Sequence, residues 1–257
     1  MDSSCSLKER IRSRERLVGT FVKTGSYQVV EILGGVGFDF LVVDAEHAPF
    51  DRSTLDVLCL AARATGTPAI VRLPDTSAHE TLNVLDLGYA GVLAPHASNR
   101  ATVEPLTRTC LYRNGVRGFS NSPRSGGYGA VGMKEHIENS DTNAVVICQV
   151  EDREAIDNLS ELVAIDAVDC YLIGRADLAV SLEVFDINHA DVKSAVDATI
   201  QACVRANKAV GIFVADPSDI PAYSAMGVSV FIAGSDQSML RAKAAETVRR
   251  CAEIKQM

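Results

Sequence analysis

Eight short runs rich in apolar and β-branched residues recur along the chain, at 18–22, 38–44, 69–73, 91–95, 144–151, 170–174, 209–214 and 228–233, each followed by a segment with helical spacing. Leu55, Leu58, Cys59 and Ala62 show that spacing, as do Val192, Val196, Ile200 and Cys203. Gly37, Gly66, Gly88 and Gly227 stand where a helix should end before the next strand. The runs Phe40-Leu41-Val42-Val43 and Ala144-Val145-Val146-Ile147 do not alternate, so their strands are apolar on both faces, as parallel strands covered by helices must be. Eight such units in 257 residues predict an α/β fold, a (β/α)8 TIM barrel, as one domain over 1–257. The alternative, a doubly wound open sheet, would bring a glycine-rich nucleotide loop after its first strand, and Lys23-Thr24-Gly25-Ser26 is not one.

Charge narrows the partners. The 33 acidic residues against 25 basic ones give a net charge of -8, which opposes phosphate backbones and anionic lipid, so neither nucleic acid nor membrane is expected as a partner. No apolar stretch is long enough to span a bilayer. The crowded charges from Lys8 to Arg16 leave no secretory signal and predict a solvated helix. Seven scattered cysteines suggest no disulfide framework and no zinc site, and point to buried thiols in a reducing cytoplasm.

In a barrel the chemistry sits where the strands end, and the polar residues that end these runs are not scattered at random. The second run leads into Asp44-Ala45-Glu46-His47, the third ends in Arg72, the fifth in Gln149-Val150-Glu151, and the sixth in Gly174-Arg175-Ala176-Asp177. Glu151 and Asp177 lie 26 residues apart, so they end neighbouring strands. Two close carboxylates repel unless a proton or cation is shared, and a donor set of oxygen alone favours Mg²⁺ or Mn²⁺. The competing reading has Glu151 in a structural ion pair and Asp177 capping the following helix. His47 and Arg72 also end adjacent strands, with Asp44 near enough to orient the imidazole. An imidazole suits general-base work, and a guanidinium suits gripping a carboxylate or an enolate oxygen.

Other candidates are weaker. His96 is on the same rim without an evident carboxylate partner, while His79, His136 and His189 read as surface residues. No nucleophile elbow is present, and Lys23 is the only lysine near a strand end that could form a Schiff base. The polar stretch from Arg113 to Gly129, after the fourth strand, reads as a lid or substrate loop on the catalytic face, or else as a plain surface loop.

Asp44-Ala45-Glu46-His47-Ala48-Pro49, Val71-Arg72, Leu85-Asp86-Leu87-Gly88, Gln149-Val150-Glu151 and Gly174-x-Ala176-Asp177-Leu178 together resemble the HpcH/HpaI aldolase family, in order, from about Gly19 to the end. The resemblance implies a class II pyruvate aldolase, which cleaves a 4-hydroxy-2-oxo acid to pyruvate and an aldehyde. It implies that Glu151 and Asp177 hold a divalent metal (Mg²⁺ or Mn²⁺, with Co²⁺ as a further option), that His47 with Asp44 moves the proton, and that Arg72 stabilises the enolate. It further implies that Gln149 lies near the keto acid, that Ala176 lies near its carboxylate, and that Asp86 reaches a neighbouring subunit's site. The resemblance also implies a hexamer built from dimers that exchange their C-terminal helices, for which the segment 236–255 is the candidate here.

Two departures from the family pattern bear on the substrate. Arg175 replaces the usual proline, and its charge either disfavours the cation or enters the cleft and binds an extra substrate carboxylate. Tyr112-Arg113 replaces a Pro-Pro before Gly115-x-Arg117-Gly118, of which Arg117 is a further substrate-binding candidate. Another enolate-forming carbon–carbon lyase and a non-catalytic keto-acid-binding barrel are the alternatives.

Overall fold

The computed structural model of the chain describes residues 5–255, so the predicted span 1–257 runs past it at both ends. In chain order the elements are α1 (Leu7–Arg12), β1 (Leu17–Val22), α2 (Tyr27–Gly35), β2 (Phe40–Asp44), α3 (Arg52–Thr65), β3 (Ala69–Arg72), α4 (Ala78–Leu87), β4 (Gly91–Ala94) and α5 (Arg100–Thr109). They continue with α6 (Met133–Asn143), β5 (Val145–Val150), α7 (Arg153–Asp157), α8 (Leu159–Leu162), β6 (Cys170–Ile173), α9 (Arg175–Ser181), α10 (Ala190–Arg205), β7 (Ala209–Val214), α11 (Ile220–Met226), β8 (Val230–Ser235) and α12 (Asp236–Lys255). The eight strands pair in sequence order, all parallel, and β8 pairs β1, so the sheet closes as the expected TIM barrel. Among the described residues, no helix is long and apolar enough to cross a membrane.

The strands are apolar on both faces because each face meets a different core. Phe40 and Val42 of β2 point inward with Ile70, Leu93, Ile147 and Leu172, while Leu41 and Val43 pack outward against the helices. Gly66 and Gly88 end α3 and α4 in the left-handed conformation, which glycine adopts without a Cβ clash.

Three expectations are overturned here. The helix α1 is not solvated. Leu7 and Ile11, four residues apart on one face, are buried in the interior cluster of the barrel, and Lys8 and Arg12 both pair with the buried Asp169. The charges from Lys8 to Arg12 that suggested exposure instead tie the helix to the barrel's N-terminal end.

Nor is the stretch from Arg113 to Gly129 a lid. It follows α5 rather than β4, so the helix has already carried the chain back to the N-terminal end. There Arg124 Nη1 donates to Leu87 O at 2.8 Å and lies 2.7 Å from Asp56 Oδ1, fastening the stretch to α4 and α3. His136, expected at the surface, is buried, with Nε2 3.1 Å from the Tyr112 hydroxyl and its ring edge-on to Phe119.

Candidate active site

The C-terminal mouth of the barrel holds a cleft of about 390 Å³, lined among others by Lys23, His47, Arg72, Gln149, Arg175 and Asp177. On the β1–β3 side the charges are paired. Asp44, fully buried at the end of β2, accepts from Arg72 Nε at 2.9 Å and from Arg72 Nη2 at 2.7 Å, a two-point contact fixed by the pairing of Asp44 with Arg72 across β2 and β3. Lys23, the first residue past β1, brings Nζ to 3.1 Å from Asp44 Oδ2. Burial alone would raise the Asp44 carboxyl, but the hydrogen bonds and charge of Arg72 override it and hold the group below the usual carboxylate range. Arg72 also lies over the Phe21 ring, 4.7 Å from its centroid.

His47 is placed differently from expectation. Asp44 accepts from its backbone N–H at 3.2 Å and does not touch the imidazole, because Arg72 and Lys23 already occupy that carboxylate. The ring instead has Nε2 3.7 Å from Glu46 Oε2, which is also 3.1 Å from Arg72 Nη1. Its side chain is 57% exposed, which leaves it open to the cleft. Glu46 was passed over in the sequence although it sits inside the quoted motif, and its spacing of two from Asp44 was the available signal.

On the β4–β6 side the charges are not paired. Glu151 is 2% exposed; its Oε1 accepts from the backbone N–H of His96 at 2.8 Å, and its Oε2 accepts from the Gln149 side-chain amide. No lysine or arginine reaches it among the described residues, and the basic group beside it is the His96 imidazole, with Nδ1 3.6 Å from Oε1. Burial pushes its carboxyl up to about 7, and the charge of Asp177 adds to the shift while the His96 N–H opposes it. Asp177 is exposed in the first turn of α9, with no side-chain capping bond on that helix. Gln149 Oε1 is buried with no hydrogen-bond partner. Gly174 permits the approach of this group to β6, since a Cβ there would fall 2.9 Å from both Gln149 Nε2 and Glu151 Oε2.

His96 has the carboxylate partners the sequence did not reveal. Its Nδ1 is 3.2 Å from Asp152 Oδ2 and 3.6 Å from Glu151 Oε1. Partial burial would lower the imidazole, but both carboxylates outweigh it and raise it above the ordinary value. The dipeptide Glu151-Asp152, one strand over from Pro95-His96, was the signal.

Three predicted residues behave otherwise. Arg175 lines the cleft but turns toward β7, donating from Nη1 to Tyr223 Oη at 3.0 Å and from Nη2 to Phe213 O at 3.1 Å. Asp86 and Arg117 are not in the cleft. Arg117 Nη2 lies 3.0 Å from Asp86 Oδ1, and Arg117 lines a separate cavity with Gly88, Tyr89, Ala90 and Ala144, at the opposite end of the barrel. Ala176 is at the cleft wall.

The donor set on the β4–β6 side fits a hard divalent cation: two carboxylates that no lysine or arginine neutralises among the described residues and an unsatisfied amide oxygen, all oxygen. Among the described residues no three His, Cys, Asp or Glu side chains gather as a ready-made metal cluster. Such an ion would therefore take its remaining ligands from water or substrate.

The chain matches, over residues 17–242, a family model described as HpcH/HpaI aldolase/citrate lyase. It is 28% identical over 248 residues to a 5-keto-4-deoxy-D-glucarate aldolase of Shigella boydii, covering 95% of this chain and 96% of that one. It is 29% identical over 245 residues to a hydroxypyruvate/pyruvate aldolase of Paraburkholderia phytofirmans, covering 92% and 94%. Among solved structures, a HpcH/HpaI aldolase/citrate lyase family protein from Burkholderia cenocepacia superposes with a TM-score of 0.91 at 28% identity, covering 96% of this chain and 98% of that one.

Proposed function

The chain belongs to the HpcH/HpaI aldolase/citrate lyase family, whose members are lyases of carbon–carbon bonds, and from that premise we propose a class II aldolase that cleaves a 4-hydroxy-2-oxo acid to pyruvate and an aldehyde. The observation that carries this reading is the asymmetry of the mouth. Asp177 lines the same cleft as the ordered guanidinium of Arg72 and the open imidazole of His47, and beside it the buried Glu151 completes a carboxylate pair that no lysine or arginine neutralises among the described residues.

A divalent cation held by Glu151 and Asp177 would draw electrons from the 2-oxo group and acidify the adjacent carbon. The chain's own residues do the rest. His47 takes the proton of the 4-hydroxyl as the C3–C4 bond breaks, and the bond's electron pair becomes the C2–C3 enolate while C4 becomes the aldehyde carbonyl. Arg72, whose Nε and Nη2 serve Asp44 and whose Nη1 is faced by Glu46, keeps N–H donors for the charge that develops on the enolate oxygen. Return of a proton to C3 yields pyruvate, and no oxidant or reductant is needed. Gln149 and Ala176 line the keto-acid end.

Asp86, paired here with Arg117, is proposed to serve a neighbouring subunit, in a homo-oligomer of the family's hexameric kind. The main contacts of α12 are with β1 and β8, and it leaves Leu240, Val248 and Ile254 exposed. A second copy would cover them.

The test is deuterium exchange into the methyl group of pyruvate in D₂O, followed by proton NMR with Mg²⁺ or Mn²⁺ and again with EDTA. Exchange that requires the metal and falls ~10²-fold in His47→Ala is expected. Absence of exchange in folded, metal-loaded protein would overturn the reading.

A further inference from the structure

At the end of the barrel away from the cleft lies the cavity of about 410 Å³ that Arg117 lines, together with Arg63, Ser125, His136, Asn139 and Ser140 among others. The chain carries a net charge of -8, yet among the described residues no carboxylate lines this cavity. The permanent charges in its wall are the two guanidiniums.

Arg117 is 8% exposed and held on two sides, with Nη2 3.0 Å from Asp86 Oδ1 and its guanidinium carbon 4.6 Å from the Tyr112 ring centroid. Tyr112, which stands where the family pattern has proline, thus supplies the ring beside Arg117 as well as the hydroxyl 3.1 Å from His136 Nε2. Arg117 Nε is nonetheless buried with no acceptor among the described residues. Ser125 Oγ is likewise buried without a partner, in the stretch that Arg124 fastens to α3 and α4. Buried donors left unpaired are costly, and two of them in one cavity wall mark a site that a ligand completes. Arg63 adds the second guanidinium: no carboxylate lies within salt-bridge distance of it among the described residues, and a Cβ on Gly88, in the same wall, would fall 3.8 Å from its Nη1. The field in this wall is positive. Burial and then the Arg117 charge hold the His136 imidazole below its ordinary value, and Asp86 opposes them more weakly.

We propose that this cavity binds a small oxyanion, the phosphate or carboxylate group of a metabolite, through Arg117 Nε, the Arg63 guanidinium and the Ser125 hydroxyl. Guanidiniums match either group with planar N–H donors, and the hydroxyl adds a donor from another direction. The stacking and the Asp86 contact order Arg117 beforehand, which reduces the conformational freedom lost on binding. Leu85, Ala90 and Val131 add apolar wall that suits a short carbon skeleton. The cavity is at the opposite end of the barrel from His47 and Arg72, so its anion is not the substrate of the cleft, and the site stands independently of the aldolase reading.

The experiment is calorimetric titration of the full chain, stripped of metal and dialysed, with inorganic phosphate and separately with malonate, against chloride at equal ionic strength. At least one of the two is expected to bind with a Kd on the order of 1 mM or below, and which one binds identifies the group recognised. Arg63→Gln should weaken that binding on the order of 10-fold and Ser125→Ala about 5-fold. Ser125 Oγ has no hydrogen bond and Arg63 no salt bridge to lose among the described residues, so both variants should keep the wild-type melting temperature without anion. An anion held in the cleft instead would bind both variants with wild-type affinity, and that result overturns the proposal. A wild type that binds neither anion, or binds chloride equally well, overturns it too, whether or not any variant folds.

Discussion

The two sides of the barrel mouth are built from the same kinds of residue and are electrostatically opposite. At β1–β3, Asp44 and Glu46 meet Arg72 and Lys23, so the charges balance and the geometry is complete within the chain. At β4–β6, among the described residues, Glu151, Asp152 and Asp177 meet only the imidazole of His96 and neutral donors. The Asp44 carboxyl is accordingly held down and that of Glu151 pushed up to about 7. The first side is a finished structural unit that presents donors. The second is an unfinished one that a cation would complete, and burial keeps it poised because water cannot fully solvate Glu151.

The contrast can be broken most severely on the unfinished side. Glu151→Gln removes a buried carboxylate that no lysine or arginine pairs with among the described residues, so metal-dependent activity should fall ~10³-fold while thermal stability without metal stays level or rises. Steady-state rates beside a melting curve check both halves, and a large loss of stability would mean that Glu151 is a structural group after all.

The reverse pattern should hold on the finished side. Arg72→Met leaves Asp44 buried with only Lys23 as a cation, and should destabilise the fold by about 3 kcal/mol in urea unfolding, in addition to slowing turnover. A change within a few tenths of a kcal/mol would show that the pair adds nothing to stability.

The smallest effect is in pH. The Glu151 carboxyl must lose its proton before a cation binds, and its value of about 7 places that loss near neutrality. Below that value Mg²⁺ affinity should weaken about tenfold per pH unit, and above it level off. The raised value also means that the metal-free protein binds more protons folded than unfolded between about 4.5 and about 7. Its stability should therefore decline as pH rises through that window. Calorimetric titration of Mg²⁺ at several pH values checks the first statement, and an affinity independent of pH would place the cation elsewhere.

Much of this was legible from local pattern. Strands apolar on both faces, glycine stops and polar residues at strand ends locate Asp44, Arg72, Glu151 and Asp177 on one rim, because a parallel barrel sends every strand's end to the same face. What failed had a common cause. The stretch at Arg113–Gly129 was assigned to the wrong end because one helix, α5, was not counted before it. The charges of α1 hid Leu7 and Ile11, and His136 and His96 gave no sign of Phe119 or Asp152, their partners from other elements.

The sequence alone determined the barrel, its core and most of the side chains that reach the mouth, with Arg117 misplaced and Glu46 passed over, since periodicity is a property of neighbours along the chain. Only the tertiary structure decided who pairs with whom. It gave Asp44 to Arg72 rather than to the His47 ring, turned Arg175 toward β7, and set the His96 imidazole, with no lysine or arginine among the described residues, beside Glu151. The physical reason is that a charge's partner is chosen by distances of a few ångströms across strands far apart in sequence, and those distances exist only once the barrel has closed.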